Sequence, residues 1–447
     1  MTEDAPLPHR PEPFHHDRAS ANLAAMIFVT GTFLGMGLMF FVFQLWSPGT
    51  EDDVRHYREV RDLVLSTHVG VVNEDELLES ALRGMLGELD EYSQYYVEEE
   101  TERLDVDTTG HTVGIGVVVR DLEGPVVLFP VEEGPAERAG VRVGDRLLVV
   151  DGVATAGLET EEVSDLMRGE PGTQLVLRVR GLDGEERTLA IDREELLVPS
   201  VRRVRMVDEE RGVGYLALTQ FTRESPAELD QAVEALRAEG MQALVLDLRG
   251  NSGGVLRAAV DIARRFVPEG TITSTEGRGR PRIESAKAAE AHHAGLPLVV
   301  LVDALSASAS EVLAGALQDH RAAVLVGAPT FGKGLVQTIS RFPARRAIAK
   351  LTTSYYYTPA HRNLQRGTAP GTDHGLLPDV AVELDDDGRR AVLRYLMAFE
   401  PPEGALEALR SWAAEEDLGL QLDPPADAQL DAALGLFAGR RPEVSFQ

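Results

Sequence analysis

The stretch SASASE, residues 306–311, follows an apolar run, PLVVLVD (297–303), and opens a segment of helical spacing, EVLAGALQD (311–319). A short apolar run bounded by turn residues reads as a buried strand, which places the serines in a strand-to-helix turn. Such a turn can expose a nucleophile, and the N–H of the next residue can face an oxyanion. The same residues fit a second pattern. Ser308-Ala309-Ser310-Glu311 is S-x-x-E, a capping box with Ser308 at the N-cap and Glu311 at N3. From this stretch alone both readings stand.

Around this stretch, strand and helix patterns alternate from about residue 212: VGYLALTQF, SPAELDQAVEALRAEG, ALVLDLRG, VLRAAVDIARRFV, then PLVVLVD, SEVLAGALQDH, AAVLVG and AIAKLTTSYYY. This alternation argues for an α/β layered domain. GRGRPRIESAKAAEAHHAG (277–295) is a polar excursion suited to the surface, and the chain beyond 386 is helical and interrupted by proline pairs. Upstream, IGVVV, VVLF, RLLVV and QLVLRVR are short strand-like runs separated by Gly, Pro and Asp turns, a smaller β-rich unit over 106–195. Before it, VRHYREVRDLVLSTHVG and DELLESALRGMLGELDEYSQYY carry apolar residues at helical spacing, a helical segment over 51–105.

A serine nucleophile needs a base. His320 falls at the far end of the following helix and His292-His293 lie in the polar excursion, so neither presents itself. TFGKG (330–334) offers Lys333 between two glycines. A lysine acts as a base near neutrality when desolvation lowers its pKa, and a carboxylate partner would raise it. A neutral orienting group suits it better. Gln337 lies four residues on, a spacing that shares a face in a helix or a strand. The alternative is a solvated loop lysine and a surface glutamine.

Composition narrows the classes. Among 447 residues, 44 Lys and Arg stand against 73 Asp and Glu, a formal charge of −29 that opposes nucleic-acid binding. The absence of cysteine removes disulfides, thiolate metal sites and cysteine nucleophiles. No metal-spaced His/Asp/Glu cluster is evident, and no metal or organic cofactor is implied. Residues 1–22 form a polar tail. Residues 23–46, LAAMIFVTGTFLGMGLMFFVFQLW, are long and apolar enough to read as one uncleaved transmembrane anchor.

Two resemblances follow from the motifs. GIGVVV, VEEGPAERAGVRVGDRLLVVDGV and LVLRVR resemble a PDZ domain over 106–195. Gly114-Ile115-Gly116-Val117 would then present backbone N–H groups to a peptide's terminal carboxylate beside an edge strand that accepts the peptide. Arg168, at the end of the helix bordering that groove, is either a cation complementing a helix C-terminus or a link from the occupied groove to the next domain. SASASEVLAGALQDHRAAVLVGAPTFGKGLVQ, with DLRGNSGG (247–254), LTTSYYYTP, GLLPDV and GMLGELDEYSQYY, resembles the C-terminal processing peptidases, tail-specific serine proteases with a Ser-Lys dyad.

That resemblance, over about residues 57–385, implies an α/β peptidase core (196–385) with crotonase-like layers and an inserted PDZ domain; the flanking helices (51–105 and 386–447) and one N-terminal transmembrane helix complete the expected fold. The resemblance implies Ser308 as nucleophile, Lys333 as base, Gln337 as the group that orients it, and an oxyanion hole from the N–H of Ala309 with that of Gly253 or Gly254. It also implies protein C-termini as substrates, a homodimer, and a single-pass placement in a bacterial cell membrane with the catalytic part extracytoplasmic. Three stretches depart from the family pattern: NSGG stands for NPGG, Asp303 for Asn, and PAHRNLQ (359–365) for PSGRSIQ. Two other readings share parts of these motifs: a PDZ scaffold on a degenerate protease body, and an acyl hydrolase or amidase acting on non-protein amides.

Overall fold

The computed structural model describes residues 50–97, 100, 111–121, 126–131, 133–367, 374–397, 403–415 and 423–438. The chain divides into two compact units at Gly84/Met85. Of the first unit, α1 (Thr50–Thr67) and the greater part of α2 (Glu74–Gly87) are described. The Asn73 side chain accepts the Asp75 N–H at 3.0 Å, and Glu74, Asp75 and Glu76 put negative charge at the start of α2, where the helix dipole favours it.

In the second unit, the helical spacing read through Tyr96 stops at Gly87. Asp90 takes the N–H groups of Tyr92 and Ser93, both at 2.8 Å, closing a turn that competes with helix continuation. The chain emerges extended as β1 (Gln94–Val97). Next comes the β-rich unit, from β2 (His111–Gly114), β3 (Val117–Asp121) and β4 (Val126–Pro130) through α3 (Pro135–Arg138), β5 (Asp145–Val150), β6 (Val153–Ala154) and α4 (Thr160–Met167) to β7 (Gln174–Arg180), β8 (Glu186–Asp192) and β9 (Glu194–Leu197). Its sheet runs β3-β4-β5-β7-β8, with β6 beside β5. Strand β7 alternates buried and exposed along its whole length, sending Leu175, Leu177 and Val179 into a core shared with Leu128, Val150 and Val163. β2 pairs with β9, so the chain enters and leaves this insert at one place.

The remaining elements are β10 (Val201–Asp208), β11 (Val213–Leu218), α5 (Ser225–Ala238), β12 (Ala243–Asp247), α6 (Leu256–Phe266), β13 (Thr271–Gly277), β14 (Arg282–Ser285), β15 (Leu298–Val302), α7 (Ala309–Asp319), β16 (Val324–Gly327), β17 (Leu335–Phe342), β18 (Ala347–Tyr357) and β19 (Val380–Ala381), followed by α8 (Asp386–Met397), α9 (Glu403–Glu415) and α10 (Ala428–Phe437). The central sheet has the order β10-β11-β12-β15-β16-β19, parallel except for β10. Leu244, Leu246, Val300 and Val302 point to α5, α6 and α7 on one face. Val245, Val299 and Leu301 point to α8 and α10 on the other. Burial on both faces is why these strands read as unbroken apolar runs. A second sheet, β1-β18-β13-β14 with β17 on β18, lies beyond the helices of the first face.

No helix among the described residues is long and apolar enough to cross a membrane. This corrects the expected single-pass membrane placement with an extracytoplasmic catalytic part. The tail (1–22) and the apolar segment (23–46) that suggested it lie outside the described residues.

Candidate active site

The turn after β15 is built by hydrogen bonds that involve two of its three serines. Ser306 Oγ donates to Leu248 O at 2.8 Å, and Ser310 Oγ donates to Asn251 O at 2.8 Å. Both residues are fully buried and join the turn to the end of β12. Ser308 alone of the three is partly exposed. It caps α7 with φ 56° and ψ −112°, a backbone state that costs a non-glycine residue about 1–3 kcal/mol and collects at functional sites. The Tyr356 side chain, on β18, lies beside the Ser308 side chain.

Glu311 joins this turn to the next loop. Its Oε2 accepts the N–H of Ser308 at 2.9 Å and of Lys333 at 2.8 Å. Its Oε1 accepts the N–H of Gly332 at 2.8 Å and the Thr330 hydroxyl at 2.6 Å. The carboxylate has no exposed surface. Burial pushes its pKa up, and these hydrogen bonds pull the other way. The first glycine of GLLPDV, Gly375, passes so close that a Cβ there would lie 1.9 Å from Glu311 Oε1. The capping-box spacing S-x-x-E therefore has a purpose beyond the helix end, tying the Ser308 turn to the Lys333 loop.

Lys333 precedes β17. Tyr356 donates its hydroxyl to the Lys333 carbonyl, fixing the backbone. The side chain is half-buried, and its Nζ lies 4.3 Å from the centre of the Tyr92 ring. Among the described residues Nζ makes no ion pair and no hydrogen bond, Ser308 Oγ included. Burial lowers the amine's pKa and the positive charge of Lys350 lowers it further, while Glu91 and Glu311 oppose. Gln337 is on β17, opposite Thr352, and its Nε2 makes a long contact of 3.5 Å to Thr352 Oγ1 rather than to Lys333.

The NSGG turn meets Ser308 directly. A Cβ on Gly253 would lie 2.9 Å from Ser308 Cβ and 3.1 Å from Ala309 N, so only glycine allows the approach, and its φ is +110°. Gly253 N–H donates to Asn251 Oδ1 at 2.9 Å. The N–H groups of Gly254 and Ala309 have no acceptor among the described residues. In the β-rich unit, Gly114 ends β2 and Val117 starts β3, which lies at the sheet edge. The Ile115 side chain is buried in the core, while the N–H groups of Ile115 and Gly116 have no acceptor among the described residues. Arg168 caps the C-terminus of α4 and pairs with Asp165 of the same helix.

In the sequence Glu311 reads only as a cap, and Tyr92, Asp90, Thr352 and Tyr356 carry no assigned role. The signal for Asp90 and Tyr92 was present, since the motif GMLGELDEYSQYY contains both.

An α/β sheet, a strained serine at a helix start facing a glycine turn, and a desolvated lysine on the adjoining loop together define a serine hydrolase with an edge-strand binding unit. The Peptidase family S41 profile matches residues 212–382, and a PDZ domain profile matches residues 126–181. The chain is 31% identical over 440 residues to the carboxy-terminal-processing protease of Bartonella bacilliformis, covering 94% of this chain and 97% of the relative. It is 35% identical over 321 residues to the carboxyl-terminal-processing protease of a Picosynechococcus species, covering 70% of this chain and 75% of the relative. Among solved structures it is similar to the photosystem II D1 C-terminal processing protease, with 31% identity, coverage of 73% and 86% of the two chains, and a TM-score of 0.43. The chain belongs to the C-terminal processing peptidases of family S41 and is a serine-type peptidase.

Proposed function

We propose that this peptidase captures protein C-termini in the groove beside β3 and hydrolyses their peptide bonds with a Ser308–Lys333 dyad. The observation that carries the reading is the pairing, through Glu311, of a strained serine with a half-buried lysine whose amine makes no ion pair among the described residues. In acylation, Lys333 as the free amine takes the Ser308 hydroxyl proton while Oγ forms a bond to the scissile carbonyl carbon. The negative carbonyl oxygen is held by the N–H of Ala309 with that of Gly253 or Gly254. Collapse breaks the C–N bond, and the lysine passes its proton to the leaving amine. Water, deprotonated by Lys333, then releases the acyl group from Ser308.

The N–H groups of residues 114–117 receive the terminal carboxylate, β3 pairs with the peptide, and Arg168 is the candidate link between an occupied groove and the catalytic domain. Gln337 reaches Lys333 by giving up its long contact to Thr352. Helical ends that pair two copies would make a homodimer, which sedimentation equilibrium tests. The main test uses an unstructured protein with an apolar C-terminus, offered to wild type, Ser308→Ala and Lys333→Ala. Cleavage by wild type alone is expected. Binding of the tail by wild type without cleavage would leave the scaffold reading standing.

A further inference from the structure

The motif stretch LDEYSQ (89–94) has no part in the mechanism just given, yet it is anchored beside the base. Asp90 accepts the N–H groups of Tyr92 and Ser93 and, at 2.9 Å, the Ser93 hydroxyl. Thr352 on β18 closes the structure from the other side: its hydroxyl donates to Asp90 at 3.1 Å and its N–H donates to Ser93 Oγ at 3.1 Å. This turn holds the Tyr92 ring against Lys333, whose Nζ is 4.3 Å from the ring centre. Other groups also face the amine. Glu91 of the same turn and Glu311 of α7 favour its charged form, and Lys350 of β18 disfavours it. Arg366 stacks on Phe331 at 4.1 Å and faces the Tyr92 hydroxyl. Burial, with Glu91 beside it, pushes the Tyr92 phenol up to about 12, so the ring stays neutral through an ordinary assay range.

An aromatic face attracts an ammonium and has no comparable attraction for a neutral amine. The ring therefore favours the wrong state for a base, in a place where, among the described residues, no hydrogen bond joins the amine to the serine. We propose that Tyr92 is a positioning residue that parks Lys333, its ring holding the protonated side chain until substrate binding draws the amine toward Ser308. The inference rests on the reading of Lys333 as base.

Its test compares Tyr92→Leu, which keeps an apolar covering and removes the ring face, with Tyr92→Phe, which keeps the face. The rising limb of kcat/KM against pH should move down by about half to one unit in Tyr92→Leu, with about a three- to tenfold gain below the limb. In Tyr92→Phe the limb should stay in place. Competitive acetylation of Lys333, read by mass spectrometry across pH, reports the free amine without reference to catalysis. It should show the same downward shift in Tyr92→Leu. A Lys333 titration that stays put or rises in Tyr92→Leu overturns the inference, whatever happens to the rate. A Lys333 titration that falls while the rate limb does not move upholds the hold by the ring and instead removes Lys333 as the base.

Discussion

Glu311 Oε2 accepts the backbone N–H of Lys333 at 2.8 Å, across 22 residues of sequence. The same oxygen accepts the N–H of Ser308, so the placement of Ser308 and Lys333 relative to each other depends on one buried carboxylate.

Glu311→Gln replaces one accepting oxygen by an amide NH2 facing backbone donors. Each buried donor left without a partner costs about 1–3 kcal/mol. The expected result is a lowered melting temperature and at least about a tenfold loss of kcat with KM little changed, because the peptide groove is elsewhere. The sign of the pH effect also follows. A carboxyl whose folded pKa is raised favours the folded state at acid pH, and this contribution is lost as pH rises through the folded value. Urea titrations across pH should show a steeper slope of that sign in wild type than in the variant.

With the proposed dyad, Lys333 sets the pH dependence of the rate. Its pKa is lowered first by burial and next by Lys350, so the free amine forms below the ordinary lysine range. A base works as the free amine, and kcat/KM should therefore rise with pH along a limb below that range. Lys350→Gln removes a repelling charge, and the limb should move up by about half a unit. A limb that is unmoved, or that moves down, would count against Lys333 as the titrating base.

Much of the core could be read in advance because β11, β12, β15 and β16 are covered on both faces and show continuous apolar runs. The stretches around Ser308 and Lys333 were legible only as motifs: each alone also fits a helix cap or a solvated loop lysine, and their joint resemblance to the peptidase family is what picks out the two residues. Three features were not. The hairpin of β13 and β14 emerges from what reads as a polar excursion, because β14 has no buried residue to set a two-residue period. Glu311 matches a purely local capping pattern, while Thr330, Gly332 and Lys333 come from the loop after β16. The approach of Tyr92 to Lys333 depends on β1 joining β18, a pairing that leaves no periodic trace in either segment.

Gly253 tests the oxyanion side. Gly253→Ala places a methyl 2.9 Å from both Ser308 Cβ and Ala307 O, at a φ of +110°. The local backbone must give way, at a cost of about 1–3 kcal/mol, and the neighbouring N–H groups of Gly254 and Ala309 shift with it. Loss of an oxyanion donor lowers kcat by about 100- to 1,000-fold. The expected result is a loss of that size with circular dichroism unchanged, and kcat within about threefold of wild type would remove this turn from the hole.

Trp412 tests how the insert is held. Leu409 and Trp412 of α9 are buried against Val127 and Phe129 of β4, and the Arg146 guanidinium lies 5.5 Å from the Trp412 ring centre. The neighbouring C-terminal helices pack instead on the central sheet, and Arg249, paired with Asp247, also binds Asp427 at the start of α10. The C-terminal segment therefore bridges the insert and the catalytic core. Truncating a buried tryptophan costs about 3–5 kcal/mol. Because the contact is between domains, that loss should appear as undocking of α9 rather than unfolding of the core. Hydrogen exchange in Trp412→Ala should rise in β4 and α9 and stay slow in β12 and β15. Uniformly faster exchange in all four elements would show that α9 supports the whole fold.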